Sequence, residues 1–235
     1  MNIEEFVKNL KDLNISINDD ILNKLDIYYN YLVEYNNHTN LTSITEKEDV
    51  YLKHFYDSLT IVKAIDLNKV NTLIDVGTGA GFPGMIIAIL FPNIKVTLLD
   101  SNNKRINFLN ELTIKLGINN VETIHERSEI YAKNNKDKYD VVTARAVKNM
   151  QELTELCLPL VKVNGYFIPL KGIIDEELPK AKDIIKKING NLENVISFNL
   201  PNGDIRNIIV IKKIDKCPDK YPRDYKDIVK DIKTK

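Results

Sequence analysis

Two periods of apolar residues divide the chain. Ile3, Phe6, Val7, Leu10 and Leu13 recur at helical spacing. Asn18-Asp19-Asp20 can cap a second helix, with Ile21, Leu22, Leu25, Tyr28, Tyr29 and Leu32 on one face. Asn36-Asn37-His38-Thr39-Asn40 reads as a polar break, and another helical stretch runs from about Glu46 to Ile65. The pattern therefore predicts a helical extension over residues 1–70.

The period then shortens. Strand-like apolar runs occupy 72–76, 94–99, 121–124, 139–143 and 163–168, separated by helical patterns at about 84–91, 103–116 and 149–160. This alternation predicts βα units and a mostly parallel sheet covered on both faces. Right-handed connections make a doubly wound sheet the leading topology. After Lys171-Gly172 a charged helix fits about 175–188, followed by strand-like runs at 194–200 and 206–213. Pro201-Asn202-Gly203-Asp204 joins them as a turn, because Asn and Gly both tolerate positive φ. The expected fold is thus Rossmann-like α/β: seven strands, mostly parallel, ending in an antiparallel hairpin with one antiparallel strand at an edge. Residues 71–213 would form this unit. Residues 214–235 read as a charged tail whose end is either helical or disordered.

Composition narrows the class without naming it. The 235 residues are 43% hydrophobic and 28% charged, ordinary for a globular protein that can bury a core. Net charge is formally zero, so any nucleic-acid contact must use a local patch. Cys157 and Cys217 lie far apart with no CxxC spacing, which argues against zinc and against a disulfide framework. The first residues are charged and periodic, unlike a signal peptide. No apolar run reaches about 18 residues, so no membrane contact is expected and a cytoplasmic location follows.

The segment most informative about chemistry is Leu73-Ile74-Asp75-Val76-Gly77-Thr78-Gly79-Ala80-Gly81-Phe82-Pro83-Gly84. A strand carrying an acid breaks into glycines and reopens as a helix. Such a turn lets the backbone approach a ligand closely, and the new helix offers free N–H groups. Gly79 to Gly84 fits GxGxxG, and Asp100 lies about 20 residues on, where a ribose-binding acid belongs. An NAD-dependent oxidoreductase and a non-catalytic nucleotide-binding module therefore remain alternatives. Asp75 two residues before the first glycine, Pro83 at the helix start and the terminal hairpin push away from a dinucleotide, and the combination resembles a class I S-adenosylmethionine methyltransferase. A carboxylate can accept two ribose O–H bonds, and a neutral pocket suits adenine.

Several segments resemble one family. They are Asn40-Leu41-Thr42-Ser43-Ile44, Lys53-His54-Phe55-Tyr56-Asp57-Ser58-Leu59, the glycine segment, and Leu98-Leu99-Asp100-Ser101-Asn102-Asn103-Lys104-Arg105. Ala144-Arg145-Ala146 and Leu170-Lys171-Gly172 complete the set. Over about residues 1–213 they resemble the RsmG (GidB) family of class I methyltransferases. The resemblance implies methyl transfer from S-adenosylmethionine to guanine N7 at position 527 of 16S ribosomal RNA. It implies cofactor contacts at Gly77, Phe82, Ser128, Glu129 and Arg145. Asp100 is added for the ribose hydroxyls on superfamily grounds, and Gly79 belongs to the same glycine loop. Tyr221-Pro222-Arg223 fits the usual tail, whereas the Lys/Asp mixture from Asp224 onward departs from a Gly/Pro-rich ending.

The implied chemistry asks little of side chains. N7 carries a lone pair and no proton, so no general base and no catalytic residue in that sense is expected, and no metal. In-line positioning and exclusion of water are what the protein must supply. The (Asp/Asn)-Pro-Pro-(Tyr/Phe) segment expected for exocyclic-amine methylation is replaced by Thr143-Ala144-Arg145-Ala146. Cys157, the nucleophile a C5 methylation would need, lies in an apolar helix pattern and reads as core. Arg145 would hold either a cofactor carboxylate or an RNA phosphate. RNA contacts are expected from Lys53, His54, Arg105, Lys171 and Arg223, with Lys104 and Lys148 beside them. The partner would be 16S rRNA, the 30S subunit or an assembly intermediate, bound by a monomer.

Overall fold

The structure is a computed structural model that describes residues 1–145 and 148–233. Helix α1 (Ile3–Asp12) opens with a capping box in which Asn2 and Glu5 each satisfy the other's backbone N–H. Helix α2 (Asp19–Thr39) starts at Asn18, whose side chain accepts from the Ile21 N–H at 2.9 Å. It does not stop at the polar stretch. It continues to Thr39 and ends on Asn40 at φ +51°. The polarity has a tertiary use: the Asn36 side chain accepts from the Leu41 and Thr42 N–H groups and donates to the Thr42 carbonyl. The loop is thereby pinned against its own helix.

The stretch predicted as one helix over 46–65 is helical but irregular. Helix α3 (Lys47–Val50) passes into a π-helical turn over Tyr51–Tyr56, then α4 (Asp57–Leu59) and a 3-10 turn over Thr60–Lys63. A wider turn rotates successive side chains off a single face. Tyr51, Leu52, His54, Phe55, Tyr56, Asp57 and Ser58 are all buried as a result.

The remaining elements follow in chain order: β1 (Thr72–Val76), α5 (Gly84–Leu90), β2 (Lys95–Asp100), α6 (Asn103–Leu116), β3 (Val121–His125), α7 (Ser128–Asn134), β4 (Tyr139–Arg145) and α8 (Met150–Cys157). Then come β5 (Val161–Lys171), α9 (Glu177–Lys187), β6 (Gly190–Asn199), β7 (Ile205–Lys213) and α10 (Tyr225–Lys233). The sheet order is β3-β2-β1-β4-β5-β7-β6. Strands β1 to β5 pair in parallel, and β7 runs antiparallel to both β5 and β6. The antiparallel strand is therefore one position in from the edge, not on it. Ile208, Ile209, Val210 and Ile211 of β7 are buried, as an interior strand requires, whereas β6 exposes much of its length and takes the edge. In the turn only Gly203 adopts positive φ, at +91°.

Alternation along the strands feeds two cores. Leu73, Leu98, Val141, Ile168 and Ile208 face α1, α2, the π-helical segment, α5 and α6. Ile74, Leu99, Val142, Phe167 and Ile209 face α7 to α10. The N-terminal helices thus share one core with the sheet. The short helix α7 escaped the periodicity because only Tyr131 and Ala132 of its apolar residues are buried. The tail docks: Cys217, Tyr221 and Ile228 are buried in the second core. Among the described residues no helix is long and apolar enough to cross a membrane.

Candidate active site

Strand order reverses between β1 and β4, the switch point at which open α/β sheets hold ligands beyond their strand ends. A cleft of about 620 Å³ lies there. Gly77, Gly79, Phe82, Asp100, Ser128, Glu129 and Arg145 all line it, so the fold brings together every residue expected to hold the cofactor. His54 and Arg105 also line it.

The glycine loop is held by its neighbours. The Gly77 and Thr78 N–H groups both donate to the Leu99 carbonyl, at 2.8 and 3.1 Å. Asp75 is fully buried, and its Oδ2 accepts from the Thr78 hydroxyl at 2.7 Å and the Gly84 N–H at 2.8 Å. Burial pushes its carboxyl up to about 6. The glycines divide by role. Gly79, at φ +61°, has nothing within 4 Å of where a Cβ would stand and lines the cleft, so packing does not require a glycine there. Gly81, at φ +102°, would instead drive a Cβ to 2.6 Å from the Tyr28 hydroxyl. One glycine serves the cleft and the other serves packing.

Asp100 ends β2 with 4% exposure. It accepts from the Gly79 N–H at 2.9 Å, the Asn102 N–H at 2.9 Å and Arg105 Nη1 at 3.2 Å. A carboxylate offers about four lone-pair sites, so it can still accept from a hydroxyl in the cleft. Across the cleft Glu129 is paired with Arg127. A buried carboxylate beside a glycine loop, with a polar pair on the next strand end, fits the ribose and adenine of S-adenosylmethionine.

The other wall is an aromatic stack. Tyr28, Phe82 and His54 lie nearly parallel, with centroids 5.3 and 4.4 Å apart. Arg145 lies over the Phe82 ring at 5.3 Å. Its Nη1 donates to the Lys53 carbonyl at 2.7 Å and to Asp57 at 3.3 Å, and Asp57 also accepts from Arg206 Nε. Arg145 Nη2 lies 3.0 Å from His54 Nδ1. The Lys53 carbonyl also lies 3.2 Å from Nδ1, but it already accepts from Arg145 Nη1. A guanidinium can only donate, so the shorter Arg145 contact makes Nδ1 the acceptor and places the ring proton on Nε2. Burial, followed by the repulsion of Arg145, pushes His54 down to about 3, so the ring stays neutral at physiological pH. Arg145 therefore ties β4 to the π-helical turn while facing the cleft.

A second cavity of about 580 Å³ shares His54, Arg145 and Lys148 with the first. Lys53 and Lys171 line it, paired with Asp49 and Glu177 respectively. Arg223 is not brought to either cavity. It donates to both oxygens of buried Glu155 and pairs with Asp231, clamping α10 to α8. Ala146 lies outside the described residues. Cys157 is fully buried and its thiol is pushed up by that burial, as a core residue rather than a nucleophile.

Several lining residues were missed from sequence, Arg127, Thr42 and Tyr225 among them. Arg127 adjoins the expected pair, and Thr42 lies in the Asn-Leu-Thr segment, so both had a local signal. Tyr225 had none. Docking of the tail sets its ring 4.8 Å from the Arg127 guanidinium and 4.3 Å from the Lys148 ammonium.

Comparison with known proteins agrees with this geometry. The family described as rRNA small subunit methyltransferase G (GidB) matches residues 21–208. The chain is 51% identical over 227 residues to ribosomal RNA small subunit methyltransferase G of Bacillus subtilis, covering 95% of each chain. Among solved structures, TYW2 of M. jannaschii in complex with AdoMet superposes with a TM-score of 0.52 at 16% identity, over 63% of this chain and 71% of that one. A SAM-dependent methyltransferase from Aquifex aeolicus gives 0.53 at 18% identity, over 74% and 97%. These two share the fold. With the cleft at the switch point and its Asp100 and glycine loop in place, the chain belongs to the GidB family of S-adenosylmethionine-dependent ribosomal RNA small subunit methyltransferases.

Proposed function

We propose that the chain methylates guanine N7 at position 527 of 16S rRNA, within the small subunit or an assembly intermediate, as a cytoplasmic monomer. The observation that carries the reading is the pairing of the two cavities across one wall of His54, Arg145 and Lys148. Lys53, Arg145, Lys148, Lys171 and Arg206 line the second cavity, a cluster of cations that a phosphodiester could engage in place of partners such as Asp49 and Glu152. Among the described residues the exposed large apolar side chains fall singly on α1, α6 and α7 and near the ends of β5 and β7, with no element carrying a stripe of them, which suits a monomer.

Bound S-adenosylmethionine supplies an electrophilic methyl group on a sulfonium. The residues of this chain bind, orient and exclude water. Gly77 and Gly79 bring backbone close, Asp100 accepts from the ribose, and Ser128 and Glu129 meet the adenine. Guanine N7 forms the new bond with its own lone pair and releases no proton. His54 matches that need, since its ring nitrogens are both engaged and it stays neutral. Phe82 and Arg145 close one side against water.

The test is methyl transfer from labelled S-adenosylmethionine to small subunits lacking the native modification, followed by chemical cleavage at 7-methylguanosine. One cleaved guanine at the stated position is expected. Label elsewhere on the RNA would sink the position, and label that resists this cleavage would sink N7.

A further inference from the structure

Thr42 is held where its hydroxyl can only give its proton away. The Ile44 N–H donates to Thr42 Oγ1 at 3.1 Å. His54 Nε2 lies 2.9 Å from the same oxygen. Because Arg145 must donate to His54 Nδ1, Nε2 carries the ring proton and donates to Thr42 as well. Both lone pairs of Oγ1 are then used, and the remaining bonding direction is the O–H itself. Among the described residues no acceptor within hydrogen-bond reach is found for it, and Thr42 lines the cleft. The loop carrying it is fixed by Asn36, which holds the Thr42 N–H and carbonyl together. The relay starts on a guanidinium, so each bond polarises the next toward a stronger final donor. His54, one hydrogen bond away, walls both cavities.

A fixed donor on the cofactor cleft, one hydrogen bond from the His54 wall that the second cavity shares, has a specific partner in guanine. The edge that bears N7 also bears O6, a carbonyl acceptor, whereas adenine presents an amino donor there. We propose that Thr42 reads the acceptor base by donating its hydroxyl to guanine O6, leaving N7 free to attack. The inference rests on guanine N7 being the acceptor. It makes Thr42 a specificity-determining residue, with His54 and Arg145 as positioning residues that set the direction of its proton.

The experiment compares wild type, Thr42→Val and Thr42→Ser on reconstituted small subunits bearing either guanine or 2,6-diaminopurine at the acceptor position. The analogue replaces O6 with an amino group and keeps N7. On guanine, Thr42→Val should lose about 10- to 100-fold in kcat/KM, the range for a discriminating polar contact, while Thr42→Ser stays within about threefold. On the analogue the difference between wild type and Thr42→Val should vanish, because the contact is already absent. Calorimetric affinity for S-adenosylhomocysteine should be the same in all three proteins. An equal Thr42→Val loss on both bases would overturn the proposal in favour of a structural role. Weakened S-adenosylhomocysteine binding would overturn it in favour of a cofactor contact. Wild type that leaves guanine N7 unmodified would mean that the acceptor assignment itself has failed.

Discussion

Arg145→Met tests the polar hub that joins β4 to the π-helical turn. The substitution roughly preserves the length of the buried stem and removes every donor. Three acceptors are affected: the Lys53 carbonyl, Asp57 and His54 Nδ1. Asp57 keeps Arg206, whose Nε lies 3.0 and 3.1 Å from its two oxygens, so the about 3–5 kcal/mol expected for an orphaned buried charge does not apply in full. His54 can repair the other two losses at once. With the guanidinium gone, its proton can move to Nδ1, which lies 3.2 Å from the Lys53 carbonyl, and Nε2 can accept from the Thr42 hydroxyl. What remains is one weakened pair and a lost cation–ring contact over Phe82. A net loss of about 2 kcal/mol follows, combining roughly 1 kcal/mol for the hydrogen bonding and about 1 for the cation over the ring. For a chain of this size that is a fall of about 4–8 °C in melting temperature. Nitrogen-15 NMR of the imidazole reads the rest. Wild type should show the Nε2–H tautomer and the variant Nδ1–H. A wild-type ring in the Nδ1–H form would refute the reasoning, as would a variant that keeps both its tautomer and its stability.

The same ring controls a pH dependence. His54 is held far below its ordinary value, so the unfolded chain takes up a proton that the folded one refuses, and stability falls by about 1.4 kcal/mol per unit as pH drops below about 6.5. Asp75, raised to about 6, works the opposite way: the folded state keeps its proton, and stability rises as pH falls from 6 toward the ordinary carboxylate value. Urea unfolding of His54→Gln should therefore gain stability relative to wild type between pH 6.5 and 4, and parallel curves would count against the assignment. Gly79→Ala should cost about 1–2 kcal/mol for its left-handed backbone and weaken S-adenosylhomocysteine binding, because Gly79 lines the cleft and its Cβ would stand in open space. Gly81→Ala should destabilise more through the clash with Tyr28; equal melting temperatures for the two would contradict this division of roles. Arg223→Ala strips both guanidinium donors from Glu155, which is 1% exposed and keeps only the backbone N–H of residue 223, and should release α10. Limited proteolysis within 214–224 should quicken about tenfold as that local unfolding becomes cheap, and an unchanged rate would mean that the clamp is dispensable.

Much of this was legible from local pattern. The strand at Thr72–Val76 and the helix at Asn103–Leu116 match their sequence ranges, because a period-2 or period-3.6 run bounded by capping residues leaves few alternatives. The glycine loop and Asp100 were legible because their spacing follows from backbone geometry between adjacent parallel strands. The polar stretch at 36–40 misled for a physical reason. Asn36 spends its side chain on a loop six residues ahead, and composition cannot distinguish that from a helix stop.

The sequence by itself determined the alternation of elements, the glycine turn and the acid that faces it, since each depends on neighbours a few residues away. Tertiary structure alone decided three things. It placed β7 inside the sheet because both faces of that strand are apolar. It brought Tyr225 to the cleft across 77 positions from Lys148, through a tail whose charged composition gave no sign of docking. And it fixed the tautomer of His54, because the donor that dictates it arrives from a strand 91 residues away. Proton position is set by the partners of both ring nitrogens, and those partners meet only when the chain has folded.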